Sequence, residues 1–275
     1  MAHHAPLTAA GPQFALADVD PASTPGFDGG KKAGRRALAK GAAELAELQE
    51  RLFAAGLNGD RRSVLLVLQA MDTAGKGGVV SHVVGSVDVQ GVALHAFKAP
   101  TDEEKAHDVL WRIRRELPAP GMLGVFDRSH YEDVLIHRVH ALASPEVIEA
   151  RYAAIVDFEA ELVAAGTTIV KVMLHISPQE QRDRLLARLD DPTKQWKYSP
   201  GDVDERELWG RYMEEYEIAI RRTSTPDAPW YVVPADHKFA RLAVQRLLTD
   251  ALRGLDLHWP RPDYDVAAER ARLLP

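Results

Sequence analysis

Apolar positions along this chain form short continuous runs that are separated by segments of helical spacing. Five of the runs have the length of buried strands. They lie at residues 64–68, 92–97, 122–126, 169–174 and 231–233. Helical segments lie from about residue 76, at 102–117, as one or two helices between 131 and 165, and at 178–189. This alternation predicts right-handed crossovers and an α/β fold, with a doubly wound, parallel, five-stranded sheet flanked by helices.

The chain before the first strand divides into two parts. Residues 1–30 combine several prolines and glycines with no apolar period, which predicts an extended arm. Residues 31–57 place alanine and leucine at helical spacing between charged residues, which predicts an amphipathic helix within a single domain over 31–275. The chain lacks both a secretory leader pattern and an apolar run of about 18 residues, so we expect a cytoplasmic protein without membrane contact.

Composition and charge remove several classes of function. The chain has no cysteine, which excludes disulfides, thiolate metal sites and cysteine nucleophiles. Its 34 basic and 40 acidic residues give a net charge of −6, so no overall basic field favours nucleic acid, and any polyanion site must be locally basic. The single asparagine, Asn58, precedes the candidate loop, which excludes a guanine-nucleotide switch motif. His137 and His140 lack a third clustered ligand, which disfavours a transition-metal site.

The first predicted strand leads into the sequence A-M-D-T-A-G-K-G-G at residues 70–78, followed by a helical pattern. This is close to the Walker A motif, but Ala70 replaces the first glycine and Gly77 replaces the usual serine or threonine. Backbone N–H groups of such a turn point at one place, and Lys76 adds a cation. The loop therefore predicts a phosphate site formed by Ala74, Gly75, Lys76, Gly77 and Gly78; the alternative is a flexible connector.

Two aspartates follow neighbouring strands and complete the predicted site. Gly77 provides no hydroxyl for Mg²⁺, whereas Asp72 places a carboxylate in a loop suited to anions, so we interpret it as a Mg²⁺ ligand or an orienter of metal-bound water. A helix-capping role is the alternative for Asp72. Asp127 ends the third strand and is the second predicted Mg²⁺ ligand. Arg128 beside it can hold a phosphate through two hydrogen bonds.

Residues 182–197 form a locally basic segment. Arg184 and Arg188 share a helix face because they are four residues apart, and residues 192–201 are predicted to be a hinge or an exposed loop. A mobile segment that brings arginines over a phosphoryl group would exclude water and stabilise transition-state charge. A solvated helix face is the alternative. Trp196, Trp209 and Tyr212 are expected to pack this segment against the body.

Several stretches together resemble the family-2 polyphosphate kinases. They are M-D-T-A-G-K-G-G at 71–78, F-K-A-P-T-D-E-E at 97–104, L-W-R at 110–112, F-D-R-S-H-Y-E-D-V-L at 126–135, R-L-D-D-P-T-K-Q-W-K at 188–197 and A-P-W-Y-V-V-P-A-D-H-K at 228–238. The F-K-x-P-T and S-H-Y-E-D-V-L stretches resemble the branch that acts on both nucleoside monophosphates and diphosphates. The resemblance implies a P-loop kinase-like fold and Mg²⁺-dependent, reversible phosphoryl transfer between inorganic polyphosphate and AMP or ADP.

The resemblance also implies roles for individual residues. Asp72 and Asp127 would hold the metals, and Lys76 and Arg128 would neutralise the transferred group. Further phosphate contacts fall on Arg138, and on Lys98 and Arg112 at the acceptor side. The segment from about residue 182 to 212 resembles the family's helical lid, and its residues facing polyphosphate would be Arg184, Arg188, Lys194 and Lys197. Adenine nucleotides, with guanine as a second base, and a homo-oligomeric assembly are further implications.

Two other functions stay open at this point. One is an ATP-dependent nucleoside monophosphate kinase, because the D-R pair after the third strand also resembles thymidylate kinases; these enzymes usually keep the hydroxyl that Gly77 lacks. The other is a module that senses nucleotides or binds polyphosphate and has lost catalysis. The presence of Asp72, Lys76, Asp127 and Arg128 argues against that module.

Overall fold

The computed structural model of the protein describes residues 7–274. Residues 1–6 of the predicted arm, and residue 275, lie outside the described residues. Five strands are present at the predicted runs: β1 (Ser63–Ala70), β2 (Val92–Ala96), β3 (Leu123–Asp127), β4 (Thr167–His175) and β5 (Trp230–Pro234). They form one parallel sheet in the order β2-β3-β1-β4-β5. The prediction of a parallel, five-stranded α/β sheet is confirmed.

Helices connect the strands. In the described part of the chain they are α1 (Lys31–Leu57), α2 (Lys76–His82), α3 (Asp102–Lys105), α4 (Trp111–Arg115), α5 (Glu132–Val139), α6 (Pro145–Ala164), α7 (Pro178–Leu189), α8 (Gly201–Glu207), α9 (Trp209–Thr223), α10 (Phe239–Gly254) and α11 (Val266–Leu273). One group, α1, α2 and α10, packs together beside β1 and β4, and a second group consists of α5, α6 and α9. None of the described helices is both long and apolar enough for a bilayer crossing.

The predicted helix at 102–117 was wrong, because this segment forms two short helices. The first, α3, begins at the expected capping box: Glu104 N donates to Thr101 Oγ1 (3.2 Å), and Thr101 N donates to Glu104 Oε2 (2.7 Å). Asp108 then starts a new turn, since Leu110 N donates to its Oδ1 (3.0 Å) and Trp111 N donates to its carbonyl (3.0 Å). The side chain of an aspartate can accept hydrogen bonds from nearby backbone N–H groups, and these bonds replace those that would continue a helix.

Residues 7–30 run extended along the body and include one short 3₁₀ turn, Leu16–Asp18. Ala10 N donates to Trp230 O (2.7 Å) on β5, and Leu16 N donates to Glu217 Oε2 (2.8 Å) on α9. Further along, the Phe27 ring stacks on Phe239 with ring centroids 6.3 Å apart. The arm therefore delivers the first residues of α1 to the first residues of α10.

A buried ionic network lies under the turn that follows β3. Lys171 on β4 is fully buried, and its ammonium donates to Glu159 Oε2 on α6 (2.5 Å) and to Thr223 O on α9 (2.7 Å). Tyr131 donates its hydroxyl to Glu159 Oε1 (2.9 Å), and His130 Nε2 lies 3.2 Å from the same oxygen. Burial would raise the pKa of Glu159, but the Lys171 charge and the His130 hydrogen bond outweigh it and lower the pKa. The network fixes this turn to α6, α9 and β4.

Candidate active site

The loop between β1 and α2 has the shape of a phosphate-binding turn. Thr73 and Gly75 both adopt left-handed backbone conformations, with φ of 63° and 118°. Ala74 N donates to Met71 O (3.2 Å) and Gly78 N donates to Gly75 O (2.9 Å), so these two N–H groups shape the loop itself. Within residues 7–274, the N–H groups of Gly75, Lys76 and Gly77 have no protein acceptor. They are the donors that the loop can offer to phosphate oxygens.

Two cations and two carboxylates alternate around this loop. The register places Asp127, at the end of β3, opposite Leu68 on β1, next to the strand end from which the loop departs. Lys76 Nζ lies 3.9 Å from Asp127 Oδ1, and Arg128 Nη2 lies 3.3 Å from Asp72 Oδ1. The structure thus brings the four predicted catalytic residues into one group. Lys76 is the most enclosed, with 11% of its side chain exposed, whereas 38% of Arg128 is exposed.

Arg128 owes its position to the backbone. Its φ of 65° lies in the left-handed region, and its N–H donates to Leu68 O on β1 (3.0 Å). Burial lowers the pKa of Arg128, but the charges of Glu132 and Asp72 outweigh this and raise it. The guanidinium therefore stays charged in a surrounding of carboxylates, ready to exchange them for phosphate oxygens.

Glu132, the first residue of α5, is a site residue that the sequence analysis missed. Burial raises the pKa of its carboxyl group, and the nearby charges of Arg128 and Lys76 offset only part of the rise. The side-chain amide of Gln69 can be oriented so that its oxygen accepts from Ser129 and its nitrogen donates to Glu132 Oε1 (2.9 Å). A signal was present in the sequence, because Glu132 follows Arg128 by four residues at the start of a helical pattern.

Arg184 holds the loop in place. Its Nη1 donates to Thr73 O and Ala74 O (both 3.1 Å), and its Nη2 donates to Ala235 O (2.7 Å) and Asp236 O (3.0 Å). A planar guanidinium with several donors suits this role, since it joins two backbone segments at once. In the structure Arg184 therefore ties the loop to the end of β5, and the phosphate contact expected of it stays a prediction.

The segment from α7 to α9 contacts the loop through Gln181, whose side-chain nitrogen donates to Asp72 O (3.1 Å), and through Arg184. Several of its later basic residues have partners within the segment. Arg188 Nη1 donates to Lys197 O (2.9 Å) and lies 3.6 Å from Asp202 Oδ2 on α8. Hydrogen bonding to Lys194 lowers the pKa of Asp191 to about 2, and the Lys197 ammonium lies 4.9 Å from the centre of the Trp196 ring.

Trp209 and Tyr212 pack against the core, as expected, but the same expectation was wrong for Trp196. Trp196 is 78% exposed, and its indole nitrogen donates to the neighbouring Thr193 carbonyl (3.0 Å). This local bond holds the ring at the surface.

The two residues assigned to the acceptor side, Lys98 and Arg112, and the further phosphate contact predicted at Arg138 differ in their surroundings. Lys98 is exposed, whereas Arg112 is buried, donates to Lys98 O (2.9 Å) and lies 3.4 Å from Asp133 Oδ2. Arg138 Nε lies 3.1 Å from Glu215 Oε1. Arg112 thus supports the backbone that carries Lys98, and of these two acceptor-side cations Lys98 is the one presented to solvent.

The donor set at the loop fits Mg²⁺. Proteins hold this ion through one or two carboxylates, with phosphate oxygens and water as the other ligands. Asp72 and Asp127 have 33% and 30% of their side chains exposed, and each faces a single cation. Within residues 7–274 no group of three or more acidic, histidine or cysteine side chains could hold an ion alone. The two carboxylates suit an ion whose remaining ligands come with the substrate.

A phosphate loop after the central strand and an aspartate at the end of the neighbouring strand define a P-loop kinase-like phosphotransferase. A model of the Polyphosphate kinase 2 family matches residues 29–258. A protein named AMP/ADP-polyphosphate phosphotransferase from Meiothermus ruber is 47% identical over 91% of this chain and 93% of its own length. The chain belongs to the polyphosphate kinase 2 family.

Two further comparisons agree in family and fold. A protein named ADP-polyphosphate phosphotransferase from Rhodopseudomonas palustris is 42% identical over 84% of this chain and 82% of its own length. The crystal structure of Polyphosphate Kinase 2 from Arthrobacter aurescens TC1 is 60% identical, covers 98% of this chain and 99% of that one, and superimposes with a TM-score of 0.93. The P-loop kinase-like fold expected from the sequence is thereby confirmed.

Proposed function

We propose that this chain catalyses reversible, Mg²⁺-dependent transfer of a terminal phosphoryl group between inorganic polyphosphate and AMP or ADP. The observation that carries the proposal is the alternation of Lys76 and Arg128 with Asp72 and Asp127 around the loop. The names of the relatives from Meiothermus ruber and Rhodopseudomonas palustris support this choice of donor and acceptors.

The reaction needs little from the protein besides positioning and charge. A terminal phosphate oxygen of AMP or ADP, deprotonated near neutral pH, attacks the terminal phosphorus of polyphosphate. The bond from that phosphorus to its bridging oxygen breaks, and the chain leaves one phosphate shorter with a new anionic oxygen. No proton must be removed from the nucleophile, so catalysis consists of alignment and stabilisation of charge. One phosphoanhydride replaces another, so the direction follows the concentrations.

Each site residue has a role in this scheme. Lys76 and the N–H groups of Gly75 and Gly77 bind oxygens of the transferred group on the loop side, and Arg128 binds them on the β3 side. Asp72 and Asp127 would hold Mg²⁺, which supplies neutralising charge when bound. The helical lid formed by α7 to α9 excludes water, which would otherwise compete as the phosphoryl acceptor.

The peripheral cations serve the two substrates. Lys98, supported by Arg112, together with Arg138 faces the acceptor nucleotide. Arg188, Lys194 and Lys197 exchange their present partners in the lid for phosphates of the donor chain. A guanine nucleotide as acceptor and a homo-oligomeric assembly stay predictions, which a GDP reaction and light scattering of the purified protein would check.

The test is a nucleotide assay with purified protein, Mg²⁺ and long-chain polyphosphate as the sole phosphoryl donor, with AMP and ADP offered separately. We expect ADP from AMP and ATP from ADP, and loss of both products when EDTA removes the metal. Product from ADP alone would restrict the acceptors to diphosphates. Nucleotide phosphorylation that requires ATP as donor would contradict the proposal and favour the monophosphate kinase.

A further inference from the structure

Gln181 on α7 is buried, and its side chain joins two separate elements. Its Nε2 donates to Asp72 O in the phosphate loop (3.1 Å), and its Oε1 accepts from Arg206 Nη1 on α8 (2.6 Å). The reverse orientation of the amide would turn its nitrogen toward a guanidinium and its oxygen toward a carbonyl. The two partners therefore fix the orientation of the Gln181 amide together, and each contact depends on the other.

Helix α7 holds the loop by its carbonyl groups. Arg184 lies three residues after Gln181 on the same helix face, and it donates to Thr73 O and Ala74 O (both 3.1 Å). With the Gln181 bond, three successive carbonyls of the loop are bonded to α7. This leaves the N–H groups of residues 75–77 for phosphate oxygens. A shift of α7 would therefore move the backbone that presents these donors.

Helix α8 is attached to α7 at both ends. Arg206 Nη1 also donates to Pro178 O at the start of α7 (3.0 Å), and Arg188 near the end of α7 lies 3.6 Å from Asp202 on α8. In the part of the chain that the structure describes, Gln181 is the one residue of α7 with hydrogen bonds to both the loop and α8. The connection between the loop and α8 thus passes through one amide.

Helix α8 also lies within electrostatic range of the catalytic group. Burial raises the pKa of Asp202, and the charge of Asp72 raises it further. The charges of Arg188 and Arg128 oppose this rise only in part. A displacement of α8 would therefore change the surroundings of the site as well as the Gln181 contact.

We infer that Gln181 is a positioning residue that couples α8, in the lid, to the phosphate loop. The inference rests on the proposed function and deepens it, because it assigns the contact through which closure of the lid is felt at the residue that would hold Mg²⁺. With Arg206 bound, the amide of Gln181 holds Asp72 O and so places the Asp72 carboxylate. By linkage, occupation of the loop stabilises the same position of α8 by the same factor.

The experiment uses Mg²⁺ with pyrophosphate as the probe, because this pair brings phosphate to the loop without a nucleotide or a long donor. Calorimetry measures the affinity of the probe. The rate of tryptic cleavage after Lys194 and Lys197, which are exposed between α7 and α8, measures the state of the lid, with the fragments identified by mass. In the native chain, a saturating probe should slow this cleavage at least about fivefold, the lower range of coupling between sites.

Three variants separate the two contacts of Gln181. Gln181→Met removes both bonds with little change in volume. Gln181→Glu keeps an acceptor for Arg206 and loses the donor to Asp72 O, whereas Arg206→Met removes only the bond from α8. We expect each variant to weaken probe affinity at least about fivefold. Each should also lose the protection from trypsin even when the probe saturates the loop.

A double-mutant cycle tests whether the two residues act in series. If Arg206 acts on the loop through Gln181, then Gln181→Met/Arg206→Met loses hardly more affinity than Gln181→Met alone. Two independent contributions would instead add, and additive losses would contradict the coupling.

The controls separate coupling from folding. Arg206→Lys keeps a donor on α8 and should retain part of the protection. Arg253→Met, near the end of α10, removes an arginine that pairs with Glu44 and should leave both measurements unchanged. Arg206 is partly exposed, so the melting temperature of Arg206→Met without ligand should stay close to that of the native chain. This variant keeps the test decisive if a substitution at the buried Gln181 prevents folding.

Three outcomes would overturn the inference while leaving the proposed function intact. They are absence of protection in the native chain with saturating probe, unchanged protection in both Gln181→Met and Arg206→Met, and additive losses in the double variant. Weakened affinity with protection retained in Gln181→Met would show that Gln181 supports the loop without coupling it to the lid. Absence of any polyphosphate-dependent product in the native chain would instead remove the proposed function itself.

Discussion

Lys171 and Lys76 are placed in contrasting ways at neighbouring parallel strands. Lys171, within β4, is fully buried and donates to Glu159, Thr223 and Tyr131. Lys76, just after β1, has an acceptor at 3.4 Å in Ala70 O and a carboxylate at 3.9 Å in Asp127. One ammonium group has every donor engaged at short range, and the other has only long contacts.

The difference separates charges that maintain the fold from charges that await a ligand. A buried ion with complete partners contributes to a specific packing arrangement, and removal of one partner leaves the other uncompensated. A cation with long contacts retains attraction for an incoming anion. The same reasoning distinguishes Arg241, which has no ion-pair partner within residues 7–274, from Arg253 on the same helix, which pairs with Glu44 and Asp250.

The largest expected effect is on stability, from Lys171→Met. It leaves Glu159 buried without its ammonium partner, so we expect the free energy of unfolding to fall by about 3–5 kcal/mol. The double variant Lys171→Met/Glu159→Gln should recover most of the loss, since no buried charge then lacks a partner. Urea unfolding measures both. Lys76→Met is the matched control at the site and should lower the free energy of unfolding by clearly less, because the nearest carboxylate of Lys76 is 3.9 Å away and partly exposed. Equal losses of unfolding free energy in Lys171→Met and Lys76→Met would show that the two lysines do not differ in their contribution to the fold.

A somewhat smaller effect is expected on turnover, from Asp72→Asn. The substitution keeps the shape of the side chain and removes the charge that would hold Mg²⁺, so kcat should fall by about 10²- to 10³-fold, the range seen when one preorganised electrostatic contact is removed. The melting temperature should stay close to that of the native chain, because Asp72 is partly exposed. A Mg²⁺ titration of activity should require more metal. Near-full activity would eliminate the metal-holding role and leave the helix-capping one.

The smallest expected effect is a pH dependence of stability at His175, where the buried end of β4 approaches the site. Burial lowers the pKa of its imidazole, and Asp236 opposes this only in part. Below about pH 6.5 the unfolded chain binds a proton that the folded chain does not, so stability present above that pH is lost as the pH falls through the folded pKa.

His175→Leu should therefore flatten the decline of the unfolding free energy as the pH falls below about 6.5, by at most about 1.4 kcal/mol per pH unit. Urea unfolding at a series of pH values measures this slope. His258→Leu, at an exposed histidine, should not alter the slope. An unchanged slope in His175→Leu would show that this imidazole is protonated equally in the folded and unfolded chains.

Local signals explain which parts of the structure could be predicted. Buried parallel strands are continuous apolar runs, so all five were found, and Pro178 with Ser177 before it marked the start of α7 correctly. Lys76 and Asp127 were grouped because the carboxyl ends of parallel strands meet at one edge. The division of residues 102–117 was missed because it depends on the side chain of Asp108, and a single aspartate is compatible with a continuing helix.

Contacts between distant segments explain what could not be predicted. Arg184 bonds to four carbonyls from two separate segments, and nothing in its own neighbourhood distinguishes it from Arg188. Glu132 likewise meets Gln69 of β1 and the charge of Lys76 only in the folded chain. Arg35 and Arg241 likewise come close enough to influence each other's charge, although they are more than two hundred positions apart in the sequence.

The left-handed backbone conformation of Arg128 affects how much of the site must become ordered when substrate binds. A residue other than glycine in this region carries local strain, which the surrounding turn and the network beneath it must maintain. That strain is met once, when the chain folds, and it sets the direction of the side chain before any substrate arrives. The guanidinium then loses little orientational freedom at each catalytic cycle. The conformational entropy of orienting Arg128 is therefore lost once, during folding, and not again at each successive phosphoryl transfer from one long donor.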